Sequence, residues 1–364
     1  MKIVSPLLKR VVYPSFAKAG VFRRTAAAGL AVVTYHGVLP QEYELAEEVF
    51  DSNLLPPKVF RRQIRLLKAR YTVISPEEML LWSEKKFVLP PRAVLLTCDD
   101  GLLNNLTEML PVLEEERVRC LFFVTGASCD DEPATLWYEE LFLLLLRAPA
   151  GPFKISSADI EIRGTLADRD QRRALWWNSV NQLSQVGVAS RKAFLAAARV
   201  RLRTDSDAPF LANDLPSQRR FRLLNRGELK QLEAAGMTIG AHSMSHPLLS
   251  RLPPELARSE MTESRACLEE VLGKRVWAFA YPFGDAHSVT PEILAMAKDA
   301  GYEVAFLNWG GGLGAELPAF AIPRIHVTAS MDLAELEAHV AGFYSSLQRR
   351  VGRNPRDLLR PARG

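Results

Sequence analysis

Two acidic residues and two histidines are the residues of this sequence best suited to chemistry. Asp99 and Asp100 stand side by side after the apolar run "AVLLTC", and His242 and His246 follow the apolar run "MTIGA". Two imidazoles and one carboxylate can form a three-ligand site with an open position, as expected for catalytic zinc or a similar divalent ion. Asp100 can supply the carboxylate, which leaves Asp99 a charge that an attacking water can use. A turn with Asp at its start and Gly101 at its end is the alternative interpretation of the aspartates.

These residues follow predicted strands. Short apolar runs alternate with helical patterns along the chain, and the predicted strands are "LAVVTYH", "YTVI", "AVLLT", "RCLFFVT", "MTIGAH", "VWAFAY", "YEVAFL" and "FAIPRIHV". This alternation predicts a parallel sheet covered by helices, and roughly seven strands favour a barrel over a doubly wound sheet. Functional groups gather at the carboxyl ends of such strands. The residues at such ends are Asp99, Asp100, His242, His246 and His326.

Several helices have recognisable ends. Ser75-Pro76-Glu77-Glu78 is a capping box with proline at the first helical position, so a helix is predicted to begin there. A long helix is expected from about 254 to 272, and a single closing helix is expected within "MDLAELEAHVAGFYSSLQR". The alternation stops between about 130 and 220.

The stretch from about 130 to 220 is interpreted as a helical insertion between two strands. It is charged and prone to form helices, and it contains Trp137, Tyr138, Trp176 and Trp177. Packing is the main expectation for these large aromatic side chains, and stacking on sugar rings is the alternative. The predicted organisation is a basic N-terminal arm (1–29), a barrel (30–345) and a basic C-terminal tail (346–364).

Composition excludes several classes of protein. With 364 residues and 48% hydrophobic content, the chain can bury a full core and is not disordered overall. A net charge of +4 without a basic run interleaved with aromatics argues against a nucleic-acid partner. The four cysteines show no CxxC spacing, which favours reduced thiols.

The basic residues are concentrated at the two ends of the sequence. No window reaches the roughly 18 to 20 uncharged apolar residues of a membrane-spanning helix, and the first residues lack the features of a secretory signal. We therefore expect a cytoplasmic protein whose basic ends are solvated; peripheral contact between the basic arm and the inner face of an anionic membrane is the alternative. The oligomeric state is left open. The cations of the arm are Lys2, Lys9, Arg10, Lys18, Arg23 and Arg24.

The motifs resemble those of a known family. "TCDDG" looks like the T-F-D-D-G motif of polysaccharide deacetylases with NodB homology, and "HSMSH" matches their H-[ST]-x-x-H motif. Either motif alone is weak evidence, but the combination is specific and covers about residues 30 to 330. The resemblance implies a distorted (β/α)7 barrel, here with the helical insertion. It also implies metal-dependent removal of an N-acyl group, usually acetyl, from an amino sugar.

The resemblance also implies a role for each motif residue. Asp99 would be the general base, and Asp100, His242 and His246 would bind the metal. The later "RIHV" resembles the family's L-x-H motif and would make His326 the general acid.

Further motifs imply a substrate pocket. "AYPFG" resembles R-x-P-[FY], so the Phe283 N–H would help to hold an oxyanion, and "FLNWGGG" resembles the motif that ends in Asp-Trp. His36 in "TYHGV" is a further pocket residue, with a buried hydrogen-bonded histidine as the alternative. The expected substrate-binding residues are His36, Tyr281, Pro282, Phe283, Asn308 and Trp309.

Two positions depart from the family pattern. Ala280 stands where many members have the arginine that orients the base, and Asn308 lacks the carboxylate that tunes the acid histidine. We hypothesise that Arg324, two residues before His326, supplies the missing guanidinium.

The implied cofactor is a divalent ion, zinc first and Co, Ni, Mn or Fe as alternatives. The implied partner is a carbohydrate or a lipid-linked amino sugar. A related amidohydrolase, such as a sugar deformylase or an allantoinase-like enzyme, is one alternative. A catalytically silent carbohydrate-binding protein on the same fold is the other.

Overall fold

Ten strands lie within the part of the chain that the structure describes, and they form its framework. The computed structural model describes residues 7–24, 29–47, 51–132, 134–157, 160–202, 214–285, 288–311 and 317–350. The strands in chain order are β1 (Leu30–Tyr35), β2 (Thr72–Ile74), β3 (Ala93–Cys98), β4 (Leu121–Val124), β5 (Pro152–Ser157), β6 (Ile160–Thr165), β7 (Thr238–Ala241), β8 (Ala278–Ala280), β9 (Val304–Gly310) and β10 (Ile322–His326).

Seven of these strands close into a parallel barrel, which confirms the predicted distorted (β/α)7 fold. The order around the ring is β1-β10-β9-β8-β7-β4-β3, and pairing of β1 with β3 closes it. Strand β2 pairs with the first half of β3, whereas β4 pairs with its second half. Strands β2 and β4 therefore lie one after the other along the same edge of β3, and β2 lies outside the ring.

Alternate residues of the ring strands face two different cores. Leu30, Leu95, Phe123 and Phe306 belong to a cluster drawn mainly from the strands, which fills the ring. Their neighbours along the strands belong to a larger cluster that includes residues of the surrounding helices, such as Phe60. Because both faces of each strand are buried, the strands read as continuous apolar runs, which is why the sequence predicts a parallel sheet.

Fourteen α-helices lie within the described ranges. They are α1 (Tyr13–Lys18), α2 (Val21–Arg24), α3 (Pro57–Arg70), α4 (Pro76–Ser83), α5 (Leu110–Glu115), α6 (Trp137–Arg147), α7 (Arg169–Leu183), α8 (Val188–Arg201), α9 (Leu215–Phe221), α10 (Arg226–Ala234), α11 (Pro254–Leu272), α12 (Pro291–Asp299), α13 (Leu333–Val340) and α14 (Phe343–Arg350). Short π- or 3₁₀-helical turns occupy Leu8–Val12, Asn105–Met109, Gly126–Cys129 and Leu249–Arg251.

The helix ends agree with the sequence in two places and differ in one. The capping box of Ser75 and Glu78 opens α4, and α11 spans the expected range. The prediction of a single closing helix was wrong, because the helix is interrupted at Gly342, between α13 and α14. The φ of Gly342 is +73°, which lies in the left-handed region. Glycine adopts that conformation without steric cost, so it ends one helix and allows another to begin.

The insertion is mainly helical but also contains a hairpin that the sequence analysis missed. Strands β5 and β6 pair antiparallel, with Phe153, Ile155, Ile160 and Ile162 buried on one face. With α6, α7, α8 and α9 they enclose a hydrophobic cluster drawn from residues 137–221. The insertion therefore has a core of its own, separate from the two cores of the barrel.

Residues of the predicted N-terminal arm pack against α13 and the residues that follow it. Tyr13 and Phe22 form a small buried cluster with Ala338 and Ala341, next to α13. Lys9 makes an ion pair of 2.9 Å with Glu335. None of the helices in the ranges given above is both long and apolar enough to cross a membrane. The division into arm, barrel and tail stays a prediction.

Candidate active site

Asp100, His242 and His246 meet at one end of the barrel. One potential ligand atom from each lies within 4.8 Å of the others, and all three residues are buried. The Nε2 atoms of His242 and His246 lie 3.6 and 3.5 Å from the same oxygen, Asp100 Oδ1. These distances exceed the roughly 2.9 Å of an ordinary N–H···O hydrogen bond. The three side chains face a common point rather than binding one another directly.

The turn after β3 orients the two aspartates. Asp100 has a φ of +79° and Gly101 has a φ of +77°, so two successive residues adopt the left-handed conformation. A Cβ at position 101 would lie 2.6 Å from Val124 Cγ1 on the neighbouring strand. Only glycine therefore fits at position 101. This explains how the turn and the functional interpretation of "DDG" can both hold.

The histidine loop after β7 is strained and firmly held. Ser243 and His246 have φ values of +62° and +53°, which are unfavourable for residues with a side chain. Glu260 of α11 accepts hydrogen bonds of 2.9 Å from the N–H groups of Met244 and Ser245. His242 Nδ1 lies 2.7 Å from the carbonyl oxygen of Ala280. This contact fixes the ring so that Nε2 faces Asp100, as is usual for metal-binding histidines.

The insertion also grips this loop. Trp137 Nε1 donates to the carbonyl oxygen of His246 at 3.0 Å, and Arg191 Nη2 donates to that of Ser245 at 3.1 Å. The Arg191 guanidinium stacks on the Trp137 ring at 4.7 Å. Two side chains of the insertion thus hold consecutive carbonyl groups next to one potential ligand.

Asp99 is bound by Arg324 in a two-pronged ion pair. Arg324 Nη1 and Nη2 lie 2.7 and 2.5 Å from the two oxygens of Asp99, and Arg324 Nε donates to the carbonyl of Leu307 at 2.7 Å. Both side chains are almost fully buried. Burial alone would raise the pKa of Asp99, but the Arg324 guanidinium, with smaller effects of His242 and His36, holds that pKa below its usual value. Asp99 is therefore ionised and held in one orientation.

His326 lies beside His36. Their ring centroids are 4.7 Å apart, and His326 Nε2 has no hydrogen-bond partner among the described residues. Burial, together with a smaller effect of the neighbouring His36, lowers the pKa of His326 to about 3. The resting imidazole is consequently neutral.

Phe283 adds a backbone donor. It has a φ of +62°, and its N–H forms no hydrogen bond with any residue that the structure describes. The next residue, Gly284, has a φ of +58°, and a Cβ there would lie 2.5 Å from the backbone nitrogen of Asn308. The turn after β8 therefore needs this glycine, and it leaves one N–H group unused.

A cavity of about 420 Å³ surrounds these groups. This volume falls within the range of about 300–1,000 Å³ that is usual for small-molecule sites. Tyr281, Pro282 and Trp309 lie outside its lining; the Tyr281 hydroxyl instead donates to the carbonyl of Phe320 at 3.0 Å. Arg324 lies behind Asp99. The predicted residues that line the cavity are His36, Asp99, Asp100, His242, His246, Phe283, Asn308 and His326.

The far wall of this cavity comes from the insertion, and no sequence motif predicts it. The insertion contributes Tyr138, Glu139, Trp176, Trp177, Val180 and Arg220. Stacking on sugar rings is one of the two expectations for the tryptophan pair, whereas Glu139 and Arg220 belong to no motif. Their signal is structural, because a buried ion pair becomes visible only once the insertion is folded against the barrel.

Comparisons with known proteins agree with the fold and the motifs. The family model for polysaccharide deacetylases matches residues 88–141 and 210–305, and the gap between them falls within the insertion. The curated protein "Putative polysaccharide deacetylase YxkH" of Bacillus subtilis (strain 168) is 23% identical over 117 residues, which are 32% of this chain and 41% of that protein. The match thus spans less than half of the length of this relative. The two matched segments contain the two motifs, in agreement with the resemblance that the motifs indicated.

Solved structures show the same fold. The Streptococcus pyogenes deacetylase PplD, solved with acetate, is 17% identical with a TM-score of 0.53. IcaB from Ammonifex degensii is 18% identical, also with a TM-score of 0.53. Each alignment covers 86% of this chain and 98% of the other. At these identities the likeness establishes the barrel architecture.

Proposed function

We propose that this protein is a metal-dependent N-deacetylase. Its substrate would carry an acylated amino sugar within a polysaccharide, a glycolipid or a lipid-linked sugar precursor. The observation that carries the proposal is the convergence of Asp100, His242 and His246 beside an ionised Asp99 held by Arg324. The family match supports the general reaction.

The three candidate ligands fit a divalent ion. Nitrogen and oxygen ligands about 2.1 Å from one tetrahedral ion lie roughly 3.4 Å apart, and the two imidazole nitrogens lie 3.5 and 3.6 Å from Asp100 Oδ1. Two neutral imidazoles and one carboxylate, with a further position open, are typical of catalytic zinc. Zinc is therefore the first candidate, with Co, Ni, Mn and Fe as alternatives.

A bound ion would supply Lewis-acid activation of water and of the amide carbonyl. Asp99 would remove a proton from the water that attacks the amide carbon. Arg324 keeps both Asp99 oxygens in place, so we assign it as a positioning residue. The unused N–H of Phe283 would donate to the developing oxyanion; the loss of one such donor typically costs about a hundredfold to a thousandfold in rate.

His326 would protonate the leaving amine. Its resting imidazole is neutral, so it must first gain a proton. Negative charge on the nearby oxyanion favours the protonated form, and the proton that Asp99 removes from water can pass to it. The C–N bond then breaks with the proton on nitrogen, giving the free amine and acetate.

Membrane contact is proposed for the basic arm. Arg10, Lys18, Arg23 and Arg24 are exposed, whereas the apolar Tyr13 and Phe22 face the protein. Exposed cations attract anionic lipid headgroups. This arrangement supports a lipid-linked substrate met at a membrane surface.

The first experiment combines metal analysis with acyl release. Protein purified without added metal is analysed for metal content. It is then assayed on N-acetylated chitooligosaccharides and on a lipid-linked N-acetylated amino sugar in vesicles. We expect acetate release that a chelator abolishes and zinc restores. Formate release from an N-formylated substrate, without acetate release from either compound, would instead identify a sugar deformylase.

Asp99→Asn tests the proposed general base. General base catalysis is worth roughly a hundredfold to ten-thousandfold, so we expect turnover to fall by about a thousandfold while metal content is unchanged. Turnover within threefold of wild type would defeat the assigned role. Glycan binding without acyl release under any divalent metal would establish the silent carbohydrate-binding protein.

A further inference from the structure

The insertion forms one wall of the cavity that contains the proposed metal site. Tyr138 connects this wall with the proposed metal site, because its ring packs against that of His246 with the ring centroids 5.3 Å apart. Glu139 follows it in the chain, and Trp177 lines the same cavity. The catalytic proposal uses neither of these two residues.

Glu139 is a buried carboxylate with one oxygen unused. Glu139 is 4% exposed, and its Oε1 accepts a hydrogen bond of 2.9 Å from Arg220 Nη1. Arg220 Nε also binds Asp51 Oδ1 at 2.8 Å. Two carboxylates thus share one guanidinium. Glu139 Oε2 has no hydrogen-bond partner among the described residues. Buried polar atoms usually have a hydrogen-bond partner, so Oε2 is available to bind a ligand.

The chemistry of Glu139 favours a hydroxyl ligand. Burial raises the pKa of Glu139 to about 7, so the carboxyl group exists both protonated and ionised near neutral pH. A hydroxyl can donate to the ionised form and accept from the protonated form. An ammonium group can only donate.

Trp177 adds an apolar surface to this wall. It is 45% exposed, although it lies at a cavity. Trp176 supports it with a ring centroid 4.4 Å away, and Trp176 is itself anchored by a hydrogen bond of 2.8 Å to the carbonyl of Tyr138. A rigid aromatic surface can cover apolar C–H groups at little cost in conformational entropy.

We propose that Glu139 and Trp177 form a sugar subsite supplied by the insertion. A pyranose ring has an apolar C–H face bordered by hydroxyl groups. Its face would lie on Trp177, and one hydroxyl would bind Glu139 Oε2. The inference rests on the proposed function and narrows it, because the substrate is then selected by the sugar ring and not only by its acyl group.

Binding of a glycan tests the subsite without catalysis. An N-acetylated chitotriose is titrated into metal-free protein and followed by calorimetry. We expect Trp177→Ala to weaken binding about tenfold and Trp177→Phe to restore most of it. Glutamine replaces one carboxyl oxygen by an NH₂ group and removes the ionised form, so Glu139→Gln should also weaken binding about tenfold.

Control variants keep the result interpretable. Glu161→Gln changes an exposed carboxylate of the same insertion and should leave affinity unchanged. Trp177→Ala alters a half-exposed side chain, so it tests the subsite even if Glu139→Gln fails to fold.

Binding and acyl release are measured separately, so the two proposals can fail separately. Unchanged glycan affinity in Trp177→Ala and Glu139→Gln, with acetate release intact, would overturn the subsite and leave the deacetylase. Weakened binding in both variants of a protein that releases no acyl group would support the subsite and overturn the deacetylase. Wild-type protein that binds no glycan would overturn the subsite.

Discussion

The barrel and the insertion contribute to the same cavity in different ways. The barrel supplies titratable groups at or near the ends of its strands, namely Asp99, Asp100, His242, Arg324 and His326. The insertion supplies aromatic surface, a buried ion pair and two donors that hold the histidine loop. The family model also passes over residues 142–209. The model thus matches the segments that contain the two motifs and also Trp137, Glu139 and Arg220 of the insertion, whereas Trp177 and Arg191 lie in the segment that it passes over.

The difference shows how the site is divided. Parallel strands bring their carboxyl ends together whatever the intervening sequence, so a reactive group placed there is positioned by the sheet itself. Insertion residues have no such common edge and depend on their own core. We therefore expect substitutions in the barrel to remove chemistry, and substitutions in the insertion to change affinity, selectivity or stability.

The largest effect is expected at Asp100. Asp100→Asn removes the one anionic ligand of the triad, and ligand loss should exceed the roughly tenfold to hundredfold cost of losing a supporting contact. We expect bound zinc to fall below stoichiometric levels and acetate release to fall to background. Elemental analysis and turnover are measured on the same preparation.

Asp285 provides the control for Asp100. It lines the same cavity but is not part of the triad. Asp285→Asn should retain its metal. Stoichiometric zinc in Asp100→Asn would contradict the proposal that the barrel binds the metal through Asp100.

A smaller effect is expected on stability as a function of pH. The folded-state pKa of Glu139 is raised to about 7 by burial, whereas an unfolded glutamate titrates near about 4.3. The protonated form is favoured in the folded state, so the free energy of unfolding falls as the pH rises from about 4 to 7. The loss is at most about 3 to 4 kcal/mol.

Chemical unfolding at pH 4.5 and pH 7 measures this effect. Glu139→Gln should lose less stability between the two pH values than wild type, while Glu161→Gln should behave as wild type. The pKa of Asp99 is lowered instead, so its contribution has the opposite sign and disappears on acidification. An identical pH dependence in wild type and Glu139→Gln would show that Glu139 does not have a raised pKa. The opposite pH dependences expected for the insertion and for the barrel would then not hold.

The smallest effect is expected at Trp137. Trp137→Phe removes the hydrogen bond to the carbonyl of His246 but keeps an aromatic ring for Arg191 to stack on. Supporting contacts of metal ligands are worth about tenfold to a hundredfold in affinity, and we expect the lower figure because Arg191 still holds the loop. Competition with a chelator measures the zinc affinity.

Trp176→Phe is the matched control for Trp137. It also removes an indole donor, but one that binds the carbonyl of Tyr138 and not that of a proposed ligand. Equal zinc affinities in the two variants would show that the insertion does not support the metal site.

The barrel and its reactive groups were predictable because their signals are local. Buried parallel strands give apolar runs, and Asp99, Asp100, His242 and His246 follow two of them directly. Arg324 was predicted only through the resemblance and the absence of arginine at Ala280, and the structure places its guanidinium against Asp99. The assigned catalytic roles stay predictions.

The insertion was harder to predict for a physical reason. Its hairpin buries only four alternating residues over two short strands, and that period is easily lost among charged positions. The partnership of Glu139 with Arg220 joins residues 81 positions apart. No local pattern marks such a pair. The break at Gly342 was overlooked because apolar residues continue on both sides of the glycine.

The grip of the insertion on the histidine loop has a consequence for how this region can change. Trp137 and Arg191 both donate to main-chain oxygens. Such bonds depend on the course of the polypeptide and not on which side chains it bears at those points. Residue 244 can therefore be exchanged over generations without loss of these two bonds, whereas Ser245 also accepts from Arg191 through its hydroxyl at 3.2 Å. An altered peptide orientation at either carbonyl would be felt at once.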